Sequence, residues 1–549
     1  MIDPSSMPRP SVEVVPFEAL HQPLSPLFLD YLAGRPGVAP FLGEGGFGLD
    51  ALREAANISA AHPRPREAVV PALVRQQEKR GAEHAATRAR ELAHPEAVAV
   101  VTGQQAGLFG GPLFVLHKAL ATLEIARRLS EERGVPAVPV FWVAADDHDF
   151  AEVRSVCLLD GSGAIRLLRY EPRHEPVGQP AHTIVLDDTI TRLANELSEA
   201  LPPSSSREEM VGIVAECYRA GETLSGAFAR LLSRLIPDLV VLDSSDPALK
   251  TVTSPVLRRE VEEASPTSRL ALEAGRALLD AGYHQQVPVR KGFLNLFVLA
   301  GGERRALGLT EDGVEIRGLG TRLATAEALR QIETEPELWS PNALLRPLTQ
   351  DAMLPTAAYV GGPAEIAYHA QIHSSYAHFG LPRPGLVPRP SVTVVGPSAA
   401  RALEAEGLTL SDLTGDPEAV VARWARQTYP EVEAAFAQTR SSIERDMGEV
   451  EERLAAVDPT LRAATAATRG RALHQVERLH EKAMRALKKR DEGRAARLRR
   501  TRDALVPGGS LQERGLGLLG LVARHGPGVI AELQERVDPF SRGHQVVRL

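Results

Sequence analysis

VTGQQAGLFGGPLFVLHKAL, Val101–Leu120, is the stretch that decides the fold. It opens as the end of a continuously apolar run, AVAVVTG, and closes inside a helical one, GPLFVLHKALATLEIARRLSEERG, with Pro112 near its start and Gly134 at its end. VPAVPVFWVAADDHDF follows, a second apolar run closed by a burst of acid. Strand, helix and strand, with uninterrupted apolar strands, mark a βαβ unit in a parallel sheet buried on both faces.

Outward from this unit the texture changes several times. Residues 1–94 read as a mainly helical segment with proline breaks, packing on a core. Residues 95–249 form the first half of a Rossmann-like core: after the βαβ unit come the hairpin SVCLLDGSGAIRLLRYE, a helical stretch and the strand LVVLD. Residues 250–335 read as an inserted small α+β connecting module, a helix followed by antiparallel strands with two glycine turns. The second half-core, 336–425, repeats the strand–glycine–helix theme in TAAYVGGPAEIAYHAQI. In 426–508 the residues Ile443, Met447, Val450, Leu454, Val457 and Leu461 fall at alternating spacings of four and three, the seam of a coiled coil. Asp458-Pro459 interrupts it, and Leu473, Val476, Ala483 and Leu487 give a rougher second stripe, so an antiparallel helical arm is expected. Residues 509–549 are expected to return to the core, with HQVVRL as a final strand. The fold class is α/β, a Rossmann-like parallel-sheet core with inserted connecting segments and a long coiled-coil arm.

Bulk properties set limits. A chain of 549 residues is too long for one ordinary core, and 44% hydrophobic with 24% charged residues is a globular balance. A net charge of −7 gives no global attraction to nucleic acid or anionic membrane. The basic stretch ALKKRDEGRAARLRR, Ala486–Arg500, lacks aromatic residues for base stacking and reads as a solvated arm. No apolar run approaches the roughly 20 residues of a membrane helix, and the N-terminus lacks the basic-then-apolar order of a signal peptide. Cys157 and Cys217 have no CxxC spacing, which fits a reducing cytoplasm.

Three places carry candidate chemistry. Ligands of open α/β sheets bind beyond the carboxyl ends of the strands, where a helix start offers free N–H groups to an anion. In the first glycine loop Gly103, Gly107, Gly110 and Gly111 would let a ligand come close; Thr102, Gln104 and Gln105 could orient it, and His117 or Lys118, or both, could face the crevice. Neither GxGxxG nor GxxxxGK[ST] is present, and a plain tight connection is the alternative. In DDHDF, Asp146, Asp147 and Asp149 with His148 could hold an ammonium group, bind Mg²⁺ or supply an acid or base. Asp149 and Glu152 could instead be residues of a helix start. Glu365, His369 and His373 share a helix face, but the pattern is not HExxH and no metal centre is expected.

VTGQQAGLFGGPLFVLHKA, PVFWVAADDHDFAEV, LVVLDSSDPALK, SPNALLRPLTQDAMLPTAAYVGGPAEIAY and SLQER, in this order from about residue 100 to 515, closely resemble BshC, the cysteine-adding family of bacillithiol biosynthesis. The resemblance implies a cytoplasmic ligase that adds L-cysteine to glucosaminyl-malate, and homodimerisation through the arm. Its core is similar to those of nucleotidyl-transferring enzymes and class I synthetases, which implies ATP or ADP, with Mg²⁺ as a companion ion, and makes the GPLFVLHKA helix start a counterpart of their phosphate corner. A carboxylate is a poor acyl donor, so some such activation is needed. The crevice would then include Asn342, Arg346 and Gln350 for a carboxylate such as the malate, and Gly361, Gly362, Glu365 and Tyr368 on its other wall; at His369 the chain departs from the aromatic of the family pattern. The alternatives are a nucleotide-dependent ligase or nucleotidyltransferase with another substrate, and a non-catalytic coiled-coil interaction protein.

Overall fold

The computed structural model describes residues 12–415, 428–490 and 492–549. The extreme N-terminus, the end of the second half-core with the first residues of the arm (416–427), and Asp491 in the basic stretch lie outside the described residues, as do the side chains of Lys488 and Arg490.

Five strands form a wholly parallel sheet: β1 (Val98–Gln104), β2 (Ala137–Val143), β3 (Val240–Asp243), β4 (Thr356–Gly361) and β5 (Gly385–Pro388). Their order is β5-β4-β1-β2-β3, so the chain winds outward from β1 to β3 and resumes on the other side at β4. That reversal is the topological switch point of a doubly wound fold. All seven residues of β2 are buried, as a strand covered on both faces requires. Pro139 is tolerated there because pairing with β3 begins only at Val140.

Four helices frame the reversal: α1 (Leu113–Arg133), α2 (Pro247–Glu262), α3 (Arg346–Met353) and α4 (Pro363–Gln371). Helices of the N-terminal segment share the sheet's core, with Leu27, Phe28, Tyr31, Leu52 and Leu73 packed among Val98, Val100, Val138 and Leu242. A second sheet lies within the connecting module. It is antiparallel throughout and runs in the order Thr321–Ala324, Gly313–Ile316, Glu303–Leu309, Phe293–Ala300, Trp339–Pro341. Its last strand lies beyond residue 335, because Trp339 is fully buried in the module's own core, which also takes in Leu344, Leu345 and Leu348 leading into α3.

The chain forms two compact units. The first comprises the chain up to Phe17, Gln22–Val394 and Gln512–Val547; it holds both sheets described above and the returning segment, whose Gln545 N–H donates to the Ser391 carbonyl at 2.8 Å. The second, Val395–Leu511 with Glu18–His21 and Arg548–Leu549, carries α5 (Pro430–Val457) and α6 (Leu461–Arg490). These helices are antiparallel: Phe436 stacks on His480 at 4.7 Å and Arg469 pairs with Glu451 at 2.9 Å.

Candidate functional site

A crevice of about 610 Å³ opens beyond the carboxyl ends of β1, β2 and β4, at the switch point. Such a volume suits a small-molecule site. Four walls define it: the end of β1, the acidic loop after β2, the edge of the inserted module, and the start of α4.

Gly103, next to last in β1, is a glycine because a Cβ there would stand 2.9 Å from the Trp142 carbonyl. Behind it, Lys118 reaches forward from the second turn of α1. Its ammonium donates to the Gly103 carbonyl at 2.8 Å and to Gln104 Oε1 at 3.0 Å, and pairs with Glu365 Oε2 at 2.5 Å. Lys118 is 1% exposed. Burial pushes its ammonium below the usual lysine range, against the pull of Glu365. Burial also opposes the Glu365 charge, but Lys118 and the Tyr359 hydroxyl outweigh it and hold the carboxyl below its ordinary value. Tyr359 donates to Glu365 Oε1 at 2.5 Å and accepts from Arg346 at 3.3 Å; Arg346 also donates to Tyr368 at 3.1 Å and Gln350 at 2.9 Å.

The acidic loop divides its work. Asp146 is largely buried, bonded to Lys250 Nζ at 2.7 Å and Ser244 Oγ at 3.2 Å. Burial opposes its charge, and Lys250 more than compensates, so its carboxyl lies below the usual range. Asp147 faces the crevice with Glu152, the two bridged by Gln105 Nε2 at 2.8 and 2.9 Å. Among the described residues no three His, Cys, Asp or Glu groups come together as a metal cluster.

The structure thus brings Gly103, Gln104, Gln105, Lys118, Asp146, Asp147, Asn342, Arg346, Gly362, Glu365 and Tyr368 to the crevice. It corrects the placement of the others. His117 is 2% exposed and turned away; its ring nitrogens have no hydrogen-bond partner among the described residues, the nearest carboxylate oxygen, on Glu513, standing 3.6 Å off. Adjacent helical residues diverge by about 100°, so Lys118 and His117 cannot both face one cavity. Thr102 instead ties β1 to β4 through the Val360 carbonyl at 2.8 Å. Gly111 belongs to a sealed loop: the Leu113 N–H donates to the Leu516 carbonyl at 2.8 Å, and Gly110 lies under Leu518, 2.7 Å from where a Cβ would sit. The α1 start is therefore covered by Leu516 and Leu518. Gly361 lies beneath Glu365, whose Cβ is 3.0 Å from the position of a Gly361 Cβ. Gln350 is fully buried and holds Arg346. Asp149 is exposed and caps the Phe150–Val153 turn through the Glu152 N–H at 3.2 Å. His148 lies behind the crevice wall, bonded to Arg304 at 3.2 Å; burial and that guanidinium lower its pKa, leaving a neutral imidazole at pH 7. His369 is packed between Tyr359 and Tyr368, and His373 turns to the Ala370 carbonyl at 2.9 Å.

Several lining residues escaped sequence reasoning. Arg304 stacks on Phe297, 3.9 Å from the ring centre, and is pinned by Ser340 and the Pro341 carbonyl; a module far along the chain gives no local signal for this. Arg389, Arg514 and Phe114 also line the cavity. Lys250 sits in LVVLDSSDPALK, where a lysine one turn into a helix after an acid-ended strand was the available clue. Asn342 is foremost a cap: its Oδ1 accepts from the Leu344 and Leu345 N–H groups at 2.9 and 3.2 Å, while its Nδ2 donates to Asn295 Oδ1 at 2.7 Å. Asn295 in turn donates to Glu260 at 2.9 Å, a fully buried carboxylate.

Strand order and crevice together define a Rossmann-like α/β protein with a polar cavity at the sheet's switch point. Residues 12–390 match the family model of the N-terminal Rossmann-like domain of bacillithiol biosynthesis BshC, and residues 392–549 that of its C-terminal coiled-coil domain. The chain belongs to the BshC family. It is similar to proteins named "Putative cysteine ligase BshC" from Salinibacter ruber (35% identical over 526 residues, 95% of this chain and 96% of that protein). The similarity extends to those from Koribacter versatilis (34% over 532 residues, 95% and 97%) and Solibacter usitatus (36% over 459 residues, 83% and 85%).

Proposed function

We propose that this chain is a cysteine ligase of bacillithiol formation, joining the carboxyl group of L-cysteine to the amine of glucosaminyl-malate. The observation that carries this reading is the polarity of the crevice: carboxylates Asp147 and Glu152 on one wall, arginines 304, 346, 389 and 514 on the others. An amide-forming site for these substrates must receive an ammonium and a dicarboxylate together, and this division supplies both. Asp147 and Glu152 would receive the cysteine ammonium or Mg²⁺. Asp146, already neutralised by Lys250, holds the loop in shape. Lys118 and Glu365 fix the floor between β1 and β4.

Forming the amide expels the elements of water, so the carboxyl must first be activated. A nucleotide would supply that activation. Its phosphates do not fit the α1 start, which Leu516 and Leu518 close, nor the α4 start, where Glu365 caps the Gly362 N–H at 2.7 Å. Arg389 and Arg514 are the residues that would meet them. The neutral His148 is set back behind Arg304 and supports the acidic loop without touching the cavity.

A homodimer through the arm is supported by its uncovered seam: no residue of α5 is buried, and Val450, Leu454 and Val457 stay exposed. The free thiols Cys157 and Cys217 suit the cytoplasm, and no described helix is long and apolar enough to cross a membrane. The test is incubation of purified protein with L-cysteine, glucosaminyl-malate and ATP, with mass-spectrometric detection of thiol product and of AMP, ADP or pyrophosphate. Bacillithiol with stoichiometric nucleotide turnover is the expected result; turnover only with other acceptors favours a ligase of different substrate, and a deletion strain with normal bacillithiol overturns the reading.

A further inference from the structure

Asp351, on α3, has no part in the reading above, yet it is a carboxylate only 1% exposed. Its Oδ1 accepts from Gln350 Nε2 at 2.8 Å, and its Oδ2 accepts from the Tyr376 hydroxyl at 2.6 Å. Gln350 is fully buried, and its Oε1 accepts in turn from Arg346 Nη1 at 2.9 Å. Burial pushes the Asp351 carboxyl above its ordinary value, while the hydroxyls of Thr356 and Tyr376 and the Gln350 amide pull it back. Among the described residues Asp351 makes no ion pair. A buried carboxylate without a cation is costly, and a neutral amide of the same shape would fill the space.

What the charge does is fix the polarity of Gln350. An amide can turn its oxygen or its nitrogen to a neighbour, but a guanidinium only donates and a carboxylate only accepts. With Asp351 behind it, Gln350 satisfies both ends in one orientation alone, nitrogen inward and oxygen toward Arg346. A neutral amide at position 351 would accept the reversed Gln350 equally well, and the reversed Gln350 would meet Arg346 donor to donor. The other partners of Arg346 are the hydroxyls of Tyr359 and Tyr368, at 3.3 and 3.1 Å. All three partners are neutral, and the carboxylate of Glu365 is bound to Lys118. Arg346 is thus fixed in the crevice wall by oriented dipoles, with no carboxylate paired to it among the described residues. A carboxylate in direct contact would hold the guanidinium as firmly and compete with any anion that enters. The same order recurs where the chain enters α3: Glu260 fixes the Asn295 amide and Asn295 that of Asn342, whose oxygen faces the Leu344 and Leu345 N–H groups.

We propose that Asp351 is a positioning residue for Arg346: through the Gln350 amide it holds the guanidinium in the crevice wall while leaving its charge free for a carboxylate of the substrate. The identification of that carboxylate with the malate of the acceptor rests on the ligase reading; the positioning itself does not.

The test is calorimetric titration of the full-length protein with malate, glucosaminyl-malate and L-cysteine, beside thermal unfolding and steady-state kinetics. D351N should weaken malate and glucosaminyl-malate about tenfold, the effect of losing one hydrogen bond to a charged group, and leave cysteine within twofold. The KM for glucosaminyl-malate should rise in proportion, with kcat changing less. The exchanged pair, Q350E with D351N, can keep each hydrogen bond but sets the carboxylate against Arg346. It should recover the parent's unfolding midpoint and still bind malate about tenfold more weakly, because the guanidinium is then neutralised; a purely structural role predicts recovery of both. If D351N does not fold, the exchanged pair decides. Malate bound within twofold of the parent by either variant, or a parent that binds neither malate nor glucosaminyl-malate, overturns the proposal. Selective loss of malate binding in D351N, with normal bacillithiol in a deletion strain, would sink the ligase reading alone.

Discussion

Lys118 and His117 show how far apart neighbouring residues can be in function. Lys118 enters the crevice as half of a buried ion pair; His117 is enclosed behind it beside Glu513. Removing one partner of a buried pair strands the other, at a cost of about 3–5 kcal/mol. K118M should therefore lower unfolding stability by about that amount in urea titration, and abolish turnover. His544 carries a pH signature. It is buried between Ser391 and Thr393, and burial lowers its pKa from 6.5 to about 4. As pH falls the unfolded chain takes up this proton first, so the contribution is complete above pH 6.5 and is lost between 6.5 and 4, about 3 kcal/mol in all. The buried His117 and His369 shift in the same direction. Unfolding midpoints at pH 7 and 5 should diverge in the parent and converge in part in H544Q.

Elements reach the site through their ends, and the start of α1 is closed by residues from far along the chain. Gly110, at φ +89°, packs under Leu518, so G110A combines a left-handed backbone with a clash and should cost about 1–3 kcal/mol. Helix α3 presents Arg346 because Asn342 caps the turn before it, and Asn342 is held through Asn295 by the buried Glu260. Losing the cap should cost about 1 kcal/mol. N342A should raise the KM for the acceptor substrate more than it lowers kcat, as measured by steady-state kinetics with cysteine saturating.

At the scale of the whole molecule, the arm leaves apolar surface that its own hairpin does not cover. Val457 is 82% exposed, and Val450, Leu454 and Leu461 are exposed along the same stripe. A seam of this kind is normally closed by further helices. L454E combined with V457E should convert a dimer into a monomer by light scattering, with the thermal transition of the crevice-bearing unit unmoved. Equal masses for variant and parent would remove the arm as the dimer contact.

The sequence by itself determined the alternation of buried strands and helices, the glycine ends of β1 and β4, the acidic end of β2 and the heptad seam. Each of these is written in local periodicity or in residue types a short segment needs for its own geometry. The crevice positions at the ends of β1, β2 and β4 followed, because strand ends converge on one edge of a parallel sheet whatever the connections do; Asn342, Arg346, Glu365 and Tyr368 came from the family resemblance. Only the tertiary structure decided which glycine loops stay open. Leu516 and Leu518 close the start of α1 through contacts that span more than 400 residues of chain, whereas Glu365 closes that of α4 from within its own first turn. The same holds for Arg304, Arg389 and Arg514, since a guanidinium is marked as a site residue by the groups around it, and those come from the module and from the segment after the arm.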